Sequence, residues 1–213
     1  YDLDSYEKVH VIGFGKAVLA MALGAAAVLG EKINGGYLIT KHFDEEKQVQ
    51  LPESCIVTKG NHPVPGKDTF ESSEGLVNYA QSIGENDLVV VLISGGGSAL
   101  CSSPIDGVSP DEMQEMTKQL LACGAEIQEM NAIRKHLDQI KGGGLAETLQ
   151  PATVATLILS DVIGSPLDVI ASGPTVADTA TFSTVVDIFD RYSLWDTSPV
   201  SICQIVRDGQ AGK

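Results

Sequence analysis

The chain has 213 residues, 43% hydrophobic and 20% charged, which is a globular composition and not a disordered one. Its formal charge of −14 speaks against a surface that tracks nucleic acid or anionic lipid, since both demand a basic footprint. No apolar run approaches the roughly 18 residues of a membrane-crossing helix, so nothing in the sequence reads as a span.

In chain order, two hydrophobic periods alternate. Residues 8–14 (KVHVIGF) read as a buried strand and 16–29 as an Ala-rich helix. GYLIT and SCIVT, at 36–40 and 54–58, read as short strands separated by the charged loop KHFDEEKQ. A helix is expected over 69–83, a fully buried strand over 88–93 (LVVVLI), and a last strand over 153–159 (TVATLIL). Continuous apolar strands separated by helices predict a Rossmann-like α/β three-layer sandwich, its mainly parallel sheet covered by helices on both faces. Between the last two strands lies a helical insertion. Ser109-Pro110-Asp111-Glu112 has the form of a capping box with proline at the first helical position, opening a helix to about Cys123. A second helix is expected over 126–140, and a third over 181–192 after the Gly173-Pro174 break.

Cys55, Cys101, Cys123 and Cys203 show no CxxC or Cys/His metal spacing, so they read as reduced thiols of a cytosol-like compartment. Cys101 has no identifiable base beside it to make it a nucleophile. The first strand begins within ten residues of the start, and RDGQAGK ends without a closing element, a pattern that points to a fragment of a longer protein. A mitochondrial location would follow if a targeting segment preceded it.

In open parallel sheets ligands bind beyond the carboxyl ends of the strands, so those ends carry the functional information. The first strand is followed by Gly13-Phe14-Gly15-Lys16, the third by Lys59-Gly60-Asn61-His62-Pro63, the fourth by Ser94-Gly95-Gly96-Gly97-Ser98, and the fifth by Ser160-Asp161-Val162-Ile163-Gly164. Each pairs glycine with a polar or charged residue. GFGKAV lacks the third glycine of a dinucleotide fingerprint and is no Walker A loop. Lys16 is either a solvent-facing lysine after a tight turn or a cation placed by design at a helix N-terminus, where the dipole disfavours it. The SGGGS run is either a tightly packed strand–helix turn or a nest of amides and hydroxyls for an anion. Asp161 suits a Mg2+ ligand or a general base, or caps an Asx turn. His62, in the proline-locked NHPVP turn, reads as structural.

The 126–140 helix carries a second signal. Met130, Ile133, Leu137 and Ile140 form an apolar stripe, and Asn131, Arg134, Asp138 and Lys141 recur beside it at i, i+3, i+7 and i+10. Arg134 and Lys141 then lie against the buried side. They are either paired in the core, with Asp138 in reach, or aimed into a cleft.

GFGKAVLAMA, LISGGGSAL, IQEMNAIRKHLDQIKGGGLA and LILSDVIGSPLDVIASGPTV, in that order, resemble the motifs of glycerate kinases of the MOFRL-containing class. The resemblance implies that residues 1–213 are the N-terminal Rossmann-like domain of such an enzyme, trimmed at its start and without the C-terminal MOFRL domain. It implies transfer of the γ-phosphoryl of ATP to D-glycerate with Mg2+, giving 2-phosphoglycerate or 3-phosphoglycerate, in a cleft between the two domains. By motif, Lys16 and Asp161 correspond to the catalytic pair, with Asp161 also a candidate Mg2+ ligand. Ser94, Gly95, Gly96, Gly97 and Ser98, with Asn131, Arg134 and Lys141, correspond to the parts that hold substrate and phosphate. The family pattern SDVxGD has Ser165 here in place of its second acid, which puts a metal role for that position in doubt. The implied partners are glycerate, ATP and the MOFRL domain, with no nucleic acid and no membrane, and with room for a homodimer. The rival readings are a non-catalytic binding domain for a small anion or sugar phosphate, and an NAD-linked dehydrogenase. The missing third glycine and the absence of a ribose-binding acid after the second strand, where Thr40-Lys41 stands, count against the latter.

Overall fold

The computed structural model of the chain describes residues 2–42, 50–160 and 162–213. Most of the predicted charged loop, and Asp161, lie outside them.

Five strands, β1 (Val9–Phe14), β2 (Ile33–Thr40), β3 (Cys55–Lys59), β4 (Leu88–Ser94) and β5 (Thr153–Leu159), form one sheet, all parallel, in the order β3-β2-β1-β4-β5. The alternation of side chains explains why these strands read as continuous apolar runs. Val11, Leu38, Val57, Val90 and Leu92 turn to one face, where α1 (Val18–Leu29) covers them with Val18, Leu19 and Ala22. Ile12, Phe14, Tyr37, Ile39, Val89, Val91 and Ile93 turn to the other, under Leu76, Val77 and Ala80 of α2 (Lys67–Gln81). Both faces being buried, neither could be polar.

A short α3 (Gly97–Leu100) follows β4, and then α4 (Pro110–Ala122), α5 (Ile127–His136) and α6 (Gly144–Thr148) lead to β5. α7 (Phe182–Arg191) and α8 (Val200–Gln210) come after it. The predicted capping box is present: the Ser109 hydroxyl accepts the Glu112 amide at 3.2 Å and the Glu112 carboxylate accepts the Ser109 amide at 2.8 Å. Helices α4, α5, α7 and α8 share their own core around Met116, Leu120, Ile133, Phe189 and Val206, all at most 1% exposed. Residues 207–210 of the tail RDGQAGK form the last turn of α8, which buries Ile202, Cys203 and Val206 ahead of it.

A second difference bears on the site. The helix expected over 126–140 stops at His136. Residues 137–139 instead pair antiparallel with 103–105: Gln139 N donates to the Ser103 carbonyl at 2.7 Å and Ile105 N to that of Leu137 at 3.1 Å. Ile140 consequently packs under the sheet while Ile133 packs in the helical lobe. Asp138 and Lys141 reach their places through this turn and not through helical periodicity.

At the amino end of the sheet, the His10 Nδ1 lies 2.8 Å from the Tyr79 hydroxyl and its Nε2 lies 3.3 Å from the Asp87 carboxylate. Burial holds the imidazole below its ordinary value of 6.5, with Asp87 pulling the other way. The unfolded chain thus binds this proton more readily than the folded one. The contribution of the neutral ring is present above about pH 6.5 and is lost as pH falls below it. Urea midpoints should fall between about pH 7.5 and about pH 5.5, and His10→Gln should flatten that dependence; an unchanged slope in the variant would remove His10 from the account.

Candidate functional site

The chain runs outward through β1, β2 and β3, then returns to place β4 on the other side of β1. The strand order reverses between β1 and β4, and a crevice opens beyond the carboxyl ends of the two strands at such a point. Here the crevice is flanked by Gly15-Lys16 on one side and Ser94–Ser98 on the other. The two turns are stitched together: Lys16 N donates to the Gly95 carbonyl at 3.0 Å, and Ala17 N to the Ser94 hydroxyl at 3.0 Å. The approach leaves no room for side chains. A Cβ on Gly15, whose φ is +131°, would stand 2.2 Å from Ser94 Oγ.

A cavity of about 250 Å³ lies behind the Gly95–Ser98 turn. Its wall includes Arg134 from α5 with Asp138 and Lys141 from the turn after it, Ser102 from the segment after α3, Met113 and Thr117 from α4, and Val169, Ile170 and Ala171 from the segment after β5. Among the described residues, the amides of Gly95, Gly96, Gly97 and Ser98 donate no hydrogen bond. Four neighbouring donors left open at a cavity form an anion cradle built from backbone. Helix α3 spans only four residues, so its dipole adds little and the cradle rests on the amides themselves.

The two cations of the predicted stripe take the two alternatives separately. Lys141 is 4% exposed and ion-paired with Asp138, and it donates to the Cys101 carbonyl at 3.2 Å. The Asp138 carboxylate is fully engaged, since it also accepts the Ser102 hydroxyl at 2.6 Å and the Ile140 amide at 2.9 Å. Arg134, half-buried at the same wall, makes no hydrogen bond or ion pair with any described residue. Burial lowers its pKa, with Asp138 opposing from a distance. A desolvated guanidinium with open donors is built to receive an oxyanion. Asp138 and Lys141 cancel, which leaves Arg134 as the uncompensated charge of this wall.

The remaining predicted residues fall as follows. Lys16 is exposed, and a Cβ on Gly96 would stand 3.0 Å from its Cε. The Ser94 hydroxyl is occupied as a strut to the β1 turn, and the residue is 1% exposed. Ser98 Oγ lies 2.8 Å from Ser172 Oγ. Asn131 lines a neighbouring cleft with Lys135 and Asp178, apart from Arg134. Asp161 lies outside the described residues; Val162, next in sequence, lines the cavity. The glycines of Lys141-Gly142-Gly143-Gly144 are structural: the Gly142 and Gly143 amides bond the Ser172 and Gly173 carbonyls at 2.9 and 2.8 Å. Cys101 is buried and its thiol is pushed up to about 12, which leaves no thiolate for attack. Among the described residues no cluster of three or more His, Cys, Asp or Glu side chains gathers to hold a metal, and Asp138, the acid in the cavity wall, is already spent.

Two features were missed. His62 leaves its turn to meet the site: a Cβ on Gly96 would stand 3.0 Å from its Nε2, beside Lys16. The sequence signal was present in its position after β3 but was read as turn chemistry. The second is a hook at Ala171-Ser172-Gly173, with φ of 52°, 64° and 64°. Two non-glycine residues there are held in the left-handed region, a strain of the kind that gathers at functional walls. No sequence pattern marks it.

A five-stranded parallel sheet flanked by helices, with open amides and a half-buried arginine at its β1/β4 switch point, defines a Rossmann-like α/β domain. The chain belongs to the family described as a domain of unknown function, DUF4147, whose model matches residues 1–207. It is similar to the glycerate kinase of Danio rerio, 41% identical over an alignment 215 positions long that covers 96% of this chain and 43% of the fish protein. It is also similar to the D-glycerate 2-kinase of Thermotoga maritima, 41% identical over 188 residues, or 88% of this chain and 44% of that one. The crystal structure of the T. maritima glycerate kinase superposes with a TM-score of 0.84 at 38% identity, covering 93% of this chain and 47% of that one. A protein of Pyrococcus horikoshii superposes with a TM-score of 0.85 at 35% identity, over 96% and 45% of the two chains. The chain thus spans less than half the length of the relatives it matches.

Proposed function

We propose that the full-length protein transfers the γ-phosphoryl group of ATP to a hydroxyl of D-glycerate, the 2-hydroxyl in preference to the 3-hydroxyl. This chain would form one wall of the cleft and a C-terminal MOFRL domain the other. The observation that carries the reading is the unpaired Arg134 and the open Gly95–Ser98 amides on one cavity at the switch point.

Phosphoryl transfer is mainly positioning and neutralisation of charge. Arg134 takes the glycerate carboxylate in a two-pronged hydrogen bond. The Gly95–Ser98 amides receive phosphoryl oxygens, and Lys16, across Gly96, neutralises charge that grows there as the bond to the leaving oxygen breaks. Asp161 accepts the proton of the attacking hydroxyl; were Mg2+ bound, Asp161 would be the residue to hold it and the ion would supply charge neutralisation, since the described cavity residues offer no free carboxylate. Met113 and Thr117 close the far wall and restrict the acid to a short one. Lys141 and Asp138 hold the Arg134 wall in place without binding ligand.

Arg134→Met should raise the KM for glycerate by about 100-fold while kcat falls far less, because a charge-assisted pair to the carboxylate is made in ground and transition states alike. Steady-state kinetics over a wide glycerate range measure the split; equal KM values would remove Arg134 from the carboxylate. The competing reading, a small-anion binding domain without turnover, is favoured by the lack of an uncommitted base among the described cavity residues. Titration with glycerate and ATP followed by a coupled assay for ADP separates the two.

A further inference from the structure

We propose that His62 belongs to this site as a ligand-contacting residue, its Nε2 hydrogen-bonding an oxygen of the phosphoryl group in transfer beside Lys16. The inference rests on the phosphoryl-transfer reading above for the identity of the ligand, but the contact itself requires only an oxyanion on the cradle.

Three observations carry it. The first is position. The ring edge and the Lys16 side chain pack on the same α-carbon, that of Gly96, at the left-handed residue of the cradle (φ +81°). Cβ contacts of 3.0 Å to His62 Cδ2 and Nε2 and to Lys16 Cε would crowd any larger residue, so glycine is what lets the imidazole and the lysine converge there.

The second is an open hydrogen-bonding capacity in a rigid frame. Neither His62 ring nitrogen bonds any described residue, and the side chain is partly exposed. The loop that presents it is held firmly: Asn61 N donates to Thr69 Oγ1 at 2.8 Å, Thr69 N returns a bond to Asn61 Oδ1 at 3.2 Å, and Gly60 N reaches the Thr40 carbonyl at 2.9 Å. Fixed polar groups with free valence at a binding crevice are groups awaiting a ligand.

The third is charge. Burial first, and then the cations Lys16 and Lys41 that bear on the ring, hold it below its ordinary value of 6.5 and so neutral at pH 7. A neutral imidazole with hydrogen on Nε2 adds a donor to the cradle without a further positive charge. It donates a hydrogen bond and keeps its proton, so the step needs no acid or base from this residue.

The experiment uses the full-length protein with His62→Ala and His62→Gln, the second because its amide can reach the Nε2 position. Removing one preorganised donor should lower kcat by about 100-fold in His62→Ala, with KM for glycerate within about threefold and an unchanged melting point. His62→Gln should recover about tenfold of that loss. In parallel, inorganic phosphate is titrated while the 15N signals of the His62 ring are followed, and a saturable shift of Nε2 is expected. The proposal is overturned if His62→Ala retains turnover within about threefold, or if both variants lose activity equally and the ring signals ignore phosphate. Should the wild-type protein fail to phosphorylate glycerate, the kinase reading falls, and the phosphate titration alone decides His62: a shift sustains the contact and no shift ends it.

Discussion

Lys16→Ala in the full-length protein lowers kcat for glycerate phosphorylation by about 100-fold or more and leaves the melting temperature where it was. The two halves of this result have separate causes. Lys16 is exposed and its side chain makes no hydrogen bond or ion pair with any described residue, so truncation removes little packing and should change stability by less than about 0.5 kcal/mol. Yet its backbone is clamped by the bond from Lys16 N to the Gly95 carbonyl, and its side chain is laid across Gly96 into the cradle. A cation fixed where phosphoryl charge develops costs no reorganisation during the reaction, and loss of one such donor is worth about 100- to 1,000-fold in kcat. Lys16→Arg should recover little, since a planar fork does not reproduce a compact ammonium at this spacing. Turnover of Lys16→Ala within about tenfold of the wild type would take Lys16 out of the catalytic pair.

Asp138→Asn is the expected largest loss of stability, about 3–5 kcal/mol by urea unfolding. The Lys141 ammonium sits 4% exposed against this carboxylate, and removing its counter-charge leaves a cation buried without compensation. The asparagine keeps the shape and a carbonyl acceptor for the Ser102 hydroxyl but turns its NH2 on the Ile140 and Lys141 amides, so the loss reports the charge and that lost acceptor, not a cavity. Lys141→Met added to Asp138→Asn should return a large part of the loss, because the double variant no longer buries an orphan ion. A cost below about 1 kcal/mol would mean that the pair is solvated and does not frame the Arg134 wall.

The sheet was legible because β1 and β4 at its centre are buried on both faces and β5, though its Leu157 and Leu159 are exposed, is also an apolar run; β4 and β5 lie within a residue of the expected bounds. The Ser109 cap was legible because a capping box is a local device whose four residues suffice. What sequence periodicity could not give was the end of α5. Residues through Ile140 continue the helical stripe, but Leu137 and Gln139 find tertiary partners on the 103–105 segment, and those non-local bonds outcompete one more helical turn. The same event decides the fate of the two cations. Lys141 swings to Asp138 in the core, and Arg134, still on the helix, keeps its guanidinium open to the cavity. The Gly142 and Gly143 amides are spent on the Ser172 and Gly173 carbonyls of the hook, thirty residues further along the chain. His62 was read as turn chemistry for a comparable reason: its convergence with Lys16 depends on Gly96, from a third strand end.

The most direct measurement of the central claim is 31P NMR of the full-length protein incubated with ATP, Mg2+ and D-glycerate. The account predicts loss of the γ-phosphoryl signal of ATP with matching growth of ADP and of a phosphomonoester that coincides with 2-phosphoglycerate. ATP left intact, or its γ-phosphoryl group released only as inorganic phosphate, would contradict it.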